Sequence, residues 1–495
     1  MNFKKLDLGD IEQKLAIALL ALAPFSFAPS VALPIENFSS FRIGLYQLLL
    51  ATFTVYVLWR QRSFIFEQLQ TNRWLQVAVA GVLLSVAYSL VVTMNVSRTV
   101  LLSVSVLLLS SSASAMYALV ATQTSQQRQQ FLNQAARWIV RVAVVVSVIG
   151  IGQFVLSSID QSLVADGLCA GCSGDVFGFP RINVFAAEPQ FFANALLPAV
   201  FVALARLRQG VGVRRLGAAV LTTLAFALSF SRGANLALFV GLAVLGWLLI
   251  RSGRIKALLQ IGGVVAAGYL LAAAAMIGSN YFQFRDENPR IVAETFETLV
   301  EHGSAGLIEL DIRQNLEGAE QSLRDYSSPK DTSSNANFQP ADLVGSFAPP
   351  QQIEASGDER LEAALTGLGF LDTPSRVLFG VGLGNLGPYA NAQDSSLPND
   401  LTIYIQYALV AVEAGFIGLA LFVTYHLRAA SVTLRRVSAT LSTDNLVGVI
   451  IVAFLVQYSF FGTYINATYV WLYLGLGLAL QNRRKNNPVM LDLQP

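Results

Sequence analysis

The hydrophobic positions of this chain form long unbroken runs rather than a scatter. Runs of 15 to 25 residues with hardly a charge fall at 15–33, 41–59, 74–94, 99–121, 138–157, 190–205, 216–230, 234–250, 256–278, 402–426, 446–462 and 464–480. A helix needs about 20 apolar residues to cross the hydrocarbon, because every backbone polar group in lipid must be satisfied within the segment. The pattern therefore predicts an all-α polytopic membrane protein with twelve transmembrane helices.

The polar intervals set the orientation. With the N-terminus inside, the cytoplasmic intervals collect 21 basic residues, from Lys4, Lys5 and Lys14 through Arg206, Arg208, Arg214 and Arg215 to Arg483, Arg484 and Lys485. The short outside connections hold four: Arg42, Arg98, Arg181 and Arg232. Basic residues accumulate on the cytoplasmic side, so both termini are expected in the cytoplasm and the protein in the inner membrane. Lys4 and Lys5 before an apolar run also resemble a secretory signal. Pro24, Pro29 and Pro34 and the lack of a clean small-residue cleavage site favour a retained first span.

The organisation is then spans one to nine over 1–278, an extracytoplasmic loop over 279–401, and spans ten to twelve with a cytoplasmic tail over 402–495. A smaller outside segment covers 158–189. Within the large loop, 289–325 reads as helical, with Pro289 at a first helical position and Ile291, Phe296, Leu299 and Val300 on one face. Residues 326–358, rich in Ser, Pro, Asn and Gln, read as a flexible connection. Arg360 to Leu371 returns to helical spacing, and Gly380, Gly382 and Gly384 predict a tight turn before span ten. No internal repeat and no inverted pair of broken spans is visible.

Composition agrees with a chain dissolved in lipid. Of 495 residues, 54% are hydrophobic and 13% charged, with a mean hydropathy of +0.54. Soluble domains carry about 25% charged residues, so soluble, disordered and collagen-like classes are excluded. The net charge of +2 conceals segregation. Residues 279–400 hold 19 acids against 7 bases, and the rest holds 26 bases against 12 acids. Basic clusters scattered between spans match membrane topology and not a nucleic-acid face.

Little in the chain suits metal or nucleotide chemistry. The two histidines, His302 and His426, lie far apart, and two cysteines cannot complete a structural zinc site. A phosphate-binding P-loop and a nucleophile elbow are absent from the sequence. The glycines of Phe379–Asn385 lack the strand and helix of a dinucleotide site. Neither cofactor nor metal is expected. Cys169 and Cys172 leave three readings open: a redox pair, a local disulfide, or two free thiols.

Ionisable residues at the outer boundary carry more information. Ser231-Arg232-Gly233 occupies the short outside turn between spans seven and eight, and Arg181 and Glu188 flank the entry to span six. Guanidinium at this depth needs a partner or snorkels to water. Glu188 before Pro189 also suits a helix N-terminus. Glu413 puts a carboxylate inside span ten, where ionisable groups are functional or paired.

In order and sidedness these features resemble the O-antigen ligase and O-antigen polymerase superfamily of envelope polysaccharide enzymes. The resemblance rests on Ser231-Arg232-Gly233, then Arg360, then Pro374 with Gly380-Val-Gly382-Leu-Gly384, then Glu413-Ala-Gly415-Phe-Ile-Gly418. The Arg181 to Pro189 stretch is similar to a family segment ending in Glu-Pro or Asp-Pro. Residues of about 180–425 are covered. Where the family often has His-Asn before the span bearing Glu-x-Gly, this chain has Pro398-Asn399-Asp400. That departure favours a polymerase over a ligase.

The resemblance implies a glycosyltransferase that uses no metal. It would join a glycan carried on undecaprenyl diphosphate to a glycan or lipid-linked acceptor at the outer membrane face, alongside membrane lipids and other polysaccharide export components. Arg232, Arg360 and Arg181 are expected to face the departing diphosphate, and Glu188 or Asp400 to act as base. Ser231, Gly382, Gly384, Asn399 and Glu413 are expected to line the substrate. The alternative is a transporter of inorganic carbon or lipid-linked glycan. Transporters carry mid-membrane ionisable residues on several spans, and here Glu413 alone qualifies.

Overall fold

A computed structural model describes residues 8–26, 28–32, 42–159, 181–186, 188–207, 212–283, 357–395, 397, 401, 403–433, 443–460 and 467–481. The helix expected over 289–325, nearly all of the 326–358 connection, His302, Cys169, Cys172, Asn399 and Asp400 lie outside the described residues.

The protein is a helical membrane protein. Seven helices are long and apolar enough to cross a bilayer. In our numbering they are α4 (Arg73–Val91), α5 (Val96–Ala121), α6 (Ser125–Ser158), α7 (Pro189–Arg206), α9 (Arg232–Arg251), α10 (Ile255–Gln283) and α14 (Gln406–Ala430). The other five apolar runs also fall on helices, of 14 to 16 residues each: α1 (Leu8–Ala21), α2 (Leu45–Arg60), α8 (Val213–Leu228), α15 (Thr443–Gln457) and α16 (Thr468–Gln481). A further helix, α3 (Arg62–Thr71), joins α2 to α4.

The first two runs depart from simple spans. The first α-helix stops at Ala21, a 3-10 turn follows at Ala23–Phe25, and Ser30–Ala32 (β1) pairs antiparallel with Arg42–Gly44 (β2). Pro24 and Pro29 each remove a donor that a continuing helix would need. The two-strand ribbon supplies the backbone bonds instead. Gln47 then fastens the ribbon, taking the Gly44 N–H at 3.0 Å and donating to the Ser26 carbonyl at 2.9 Å.

The core is built on α7 and α16. Every residue from Pro189 to Ala205 is buried, as are nearly all of α16. A helix apolar on all sides is satisfied by other helices or by lipid, and α7 and α16 take the first course. By contrast α4 exposes most of its surface, with Trp74, Leu83, Leu84 and Val91 outward, as a lipid-facing helix would.

Four of the five tryptophans are exposed, and all four stand beside basic residues. Arg141 lies 5.0 Å over the Trp138 ring, Arg251 lies 5.4 Å over Trp247, and Arg428 lies 5.0 Å over Trp74. Trp59 precedes Arg60, whose Nε meets Glu12 at 3.2 Å. Tryptophan with a snorkelling cation marks the headgroup level of a bilayer. Trp59, Trp74 and Trp247 stand near helix ends that the basic-residue bias assigns to the cytoplasmic side, and Trp138 lies about four turns into α6.

Of the large loop, the described portion forms α11 (Gly357–Gly369), α12 (Pro374–Phe379) and α13 (Leu386–Gln393). Of these, α11 and α12 pack on α14, and α14 is broken there: Gly415 has φ +69°. The predicted helix after Arg360 is therefore present. So is the predicted glycine turn, in which Gly380, Gly382 and Gly384 adopt φ of +78°, +94° and +76°.

Candidate functional site

Three chain segments meet where α7 and α9 begin. The first is 181–186, laid across the ends of α6 and α8. Gln153 of α6 accepts the Asn183 and Val184 N–H groups at 3.2 and 3.0 Å and donates to Asn183 Oδ1 at 2.7 Å. The Arg181 guanidinium, 3% exposed, donates from Nε to the Ser229 carbonyl at 3.2 Å and from Nη2 to the Phe230 carbonyl at 3.4 Å. Arg181 thus clamps the turn that carries Arg232.

That clamped region is strained. Val184 and Phe230 have φ of +52° and +51°, the only non-glycine residues with positive φ among those described. A β-branched residue there is a true outlier, and each such position costs about 1–3 kcal/mol. The cost falls on the two segments that Arg181 ties together.

The second segment is the start of α9. Ser231 is its N-cap, accepting the Ala234 N–H at 3.3 Å. Arg232 is the first helical residue, with an exposed side chain. A cation at a helix N-terminus works against the helix dipole, so the position is a poor one for stability. It concentrates positive potential where backbone N–H groups also point, the arrangement that receives phosphate. Beside it, Gly233 lets Phe460 approach: a Cβ at Gly233 would lie 2.5 Å from the Phe460 Cβ.

The third segment is α11, which brings Arg360 over that junction. Arg360 Nη1 donates to the Phe460 carbonyl at 2.8 Å and to Gln190 Oε1 at 3.2 Å, and its guanidinium sits 5.5 Å over the Tyr404 ring. Gln190 Nε2 in turn donates to Glu188 Oε2 at 2.6 Å. Glu188 is the N-cap of α7 and is 3% exposed. Arg232, Arg360, Arg181 and Glu188, spread over 180 residues of sequence, therefore share neighbours: the 229–233 turn, Phe460 and Gln190.

Gly382, Gly384 and Glu413 form a second cluster. The break in α14 leaves carbonyls without helical donors, and the glycine turn supplies them. Val381 N–H donates to the Val412 carbonyl at 2.8 Å and Gly382 N–H to the Glu413 carbonyl at 3.0 Å. Glu413 Oε1 accepts the Gly384 N–H at 3.0 Å. Ser89 takes the Leu383 N–H at 2.7 Å, and Asn385 Oδ1 takes the Met94 N–H and the Thr99 hydroxyl, each at 3.1 Å. The Glu413 carboxylate thus fastens a turn. Among the described residues, no group of three or more His, Cys, Asp and Glu could hold a metal ion.

Gln190, Tyr404, Arg98 and Asn385 were not singled out from the sequence. Arg98 is 6% exposed, and its side chain stands 3.3 Å from where a Cβ on Gly384 would be. Its signal was present in the sequence, as a basic residue in a short outside connection. Gln190 gave none, because an amide after Glu-Pro looks like an ordinary first turn. Comparison with known protein families and with characterised proteins finds no match.

Proposed function

We propose that this chain is a glycosyl-transferring enzyme of polysaccharide assembly, a polymerase or ligase of twelve spans in the inner membrane with both termini cytoplasmic. It would act on lipid-diphosphate-linked glycan at the outer face. The observation that carries the reading is the convergence of Arg232, Arg360 and Arg181 from three separate segments on one junction.

In the reaction, an acceptor hydroxyl oxygen attacks the anomeric carbon of the donor glycan. The bond from that carbon to the diphosphate oxygen breaks, and undecaprenyl diphosphate leaves with the electron pair. The hydroxyl proton passes to a carboxylate, Glu188 or Asp400. Negative charge grows on the leaving diphosphate, and guanidinium forks match phosphate oxygens in pairs. Arg232 and Arg360 are the forks we assign to it, and Arg181 positions Arg232 by holding its turn. Preorganised cations facing developing charge supply the largest part of such catalysis, and the strain at Val184 and Phe230 is consistent with a turn held in place for that purpose.

The transporter reading draws on the broken α14, since discontinuous helices hold substrate in many carriers. Here the freed carbonyls and Glu413 are already occupied by the glycine turn, which favours chemistry at the surface over passage.

Two tests follow from this reading. Gel analysis of surface glycans in a strain lacking the chain should show single-repeat products for a polymerase or accumulated lipid-linked polymer for a ligase; an unchanged glycan profile would rule out both. Gln190→Leu, which removes both the acceptor for Arg360 and the donor to Glu188, should cut transfer at least roughly tenfold, because a hydrogen bond to a charged group contributes about 1.5–3 kcal/mol. Undiminished activity in Gln190→Leu would remove Gln190 from the positioning of Arg360.

A further inference from the structure

At the opposite end of the bundle from this site lies a cleft between α1, α6, α7, α15 and α16. Its wall is apolar, with Leu20, Ile139, Val202, Leu446 and Tyr473 among the lining residues, and one charged residue, Arg206, stands in it. Arg206 is the last residue of α7. Its Nε is buried and, among the described residues, has no hydrogen-bond partner. Among the described residues, three charges of its own sign act on it: Arg215 on α8 and Arg137 and Arg141 on α6.

A guanidinium placed half in an apolar cleft and surrounded by three like charges is unfavourable unless an anion joins it. The dipole at the C-terminus of α7 offsets only part of that cost. One acid stands close by in sequence to the cleft, Asp444 at the start of α15, two residues before Leu446. Four arginines outweigh it.

Depth identifies the anion. Trp138 is exposed, lies under Arg141, and is one residue from the cleft-lining Ile139. An exposed tryptophan capped by a cation sits at headgroup level, so the arginines and the α6 wall of the cleft, which runs from Leu132 to Ile139, are at the height of lipid phosphates. We propose that this cleft binds an anionic glycerophospholipid of the cytoplasmic leaflet, with its phosphate on Arg206. The assignment is independent of the glycosyl-transfer reading, since it uses none of the outer-face residues.

Native mass spectrometry of the full-length protein, with phosphatidylglycerol or phosphatidylcholine added to the same detergent, tests it. Phosphatidylglycerol should be retained and phosphatidylcholine washed away. Arg206→Gln should weaken retention about fivefold, the factor that about 1 kcal/mol per basic residue near an anionic leaflet implies. Should Arg206→Gln prove unstable, Arg137→Gln with Arg141→Gln alters only exposed positions and should weaken it at least as much. Equal retention of the two lipids, or undiminished phosphatidylglycerol on both variants, would overturn the proposal. So would phosphatidylglycerol binding that appears only after residues 482–495 are deleted, since the chain's own tail would then be the occupant.

Discussion

Arg232→Ala is expected to abolish long surface polysaccharide while leaving the protein at wild-type abundance. The side chain is exposed at the first position of α9, where a cation opposes the helix dipole, so its truncation costs the fold little and can stabilise it slightly. Its loss from the site is another matter. Removing one donor that faces developing charge costs roughly 3 kcal/mol, on the order of a hundredfold in rate. Arg360→Ala should give the same glycan defect with a different protein phenotype. Its Nη1 holds both the Phe460 carbonyl and Gln190, so truncation also leaves partners unsatisfied, at about 1–3 kcal/mol. Comparing the two variants at matched abundance separates chemistry from folding. Lysine at either position keeps the charge and loses the fork, so it should rescue in part only. Normal polymer length in both alanine variants would end the assignment of these residues to the diphosphate.

How much of this was legible beforehand depends on what each residue touches. The helices were legible because apolar run length is a one-dimensional property, and every run meets a helix over at least part of its length. The first run misled at its end: Pro24 and Pro29 were visible, but the ribbon that replaces the helix needs Arg42–Gly44 as a partner, and pairing between separated segments leaves no periodic trace. The glycine turn was legible because three alternate glycines announce positive φ. What they pack against was not, and Glu413 is the example. In the sequence it is a carboxylate adrift in a span; in the fold it is the acceptor for Gly384. Arg181 shows the same gap. Its place just before a span was visible, yet its burial against the Ser229 and Phe230 carbonyls makes it a clamp on the Arg232 turn, a role that depends on two segments 48 residues apart meeting. Residue type announces available chemistry, and only the neighbours decide whether that chemistry is already spent.

Gly415→Val is expected to remove the folded protein altogether. Gly415 has φ +69°, and a Cβ on it would overlap the Leu378 carbonyl. A β-branched residue in that conformation costs about 1–3 kcal/mol, and overpacking against fixed backbone adds another 1–3 or so. Backbone cannot yield as a flexible side chain does, because the same stretch carries the Val381 to Val412 and Gly382 to Glu413 bonds. The result to measure is detergent-extracted monodisperse protein and its melting temperature, both of which should collapse. Glu413→Gln is the informative contrast. An amide oxygen still accepts the Gly384 N–H, so the turn should survive and polymer should remain near wild-type length. If Glu413→Gln instead folds normally but makes no polymer, its carboxylate has a chemical duty beyond the turn. If Gly415→Val is extracted as stable protein, the break in α14 is not held by the Leu378–Gly384 backbone.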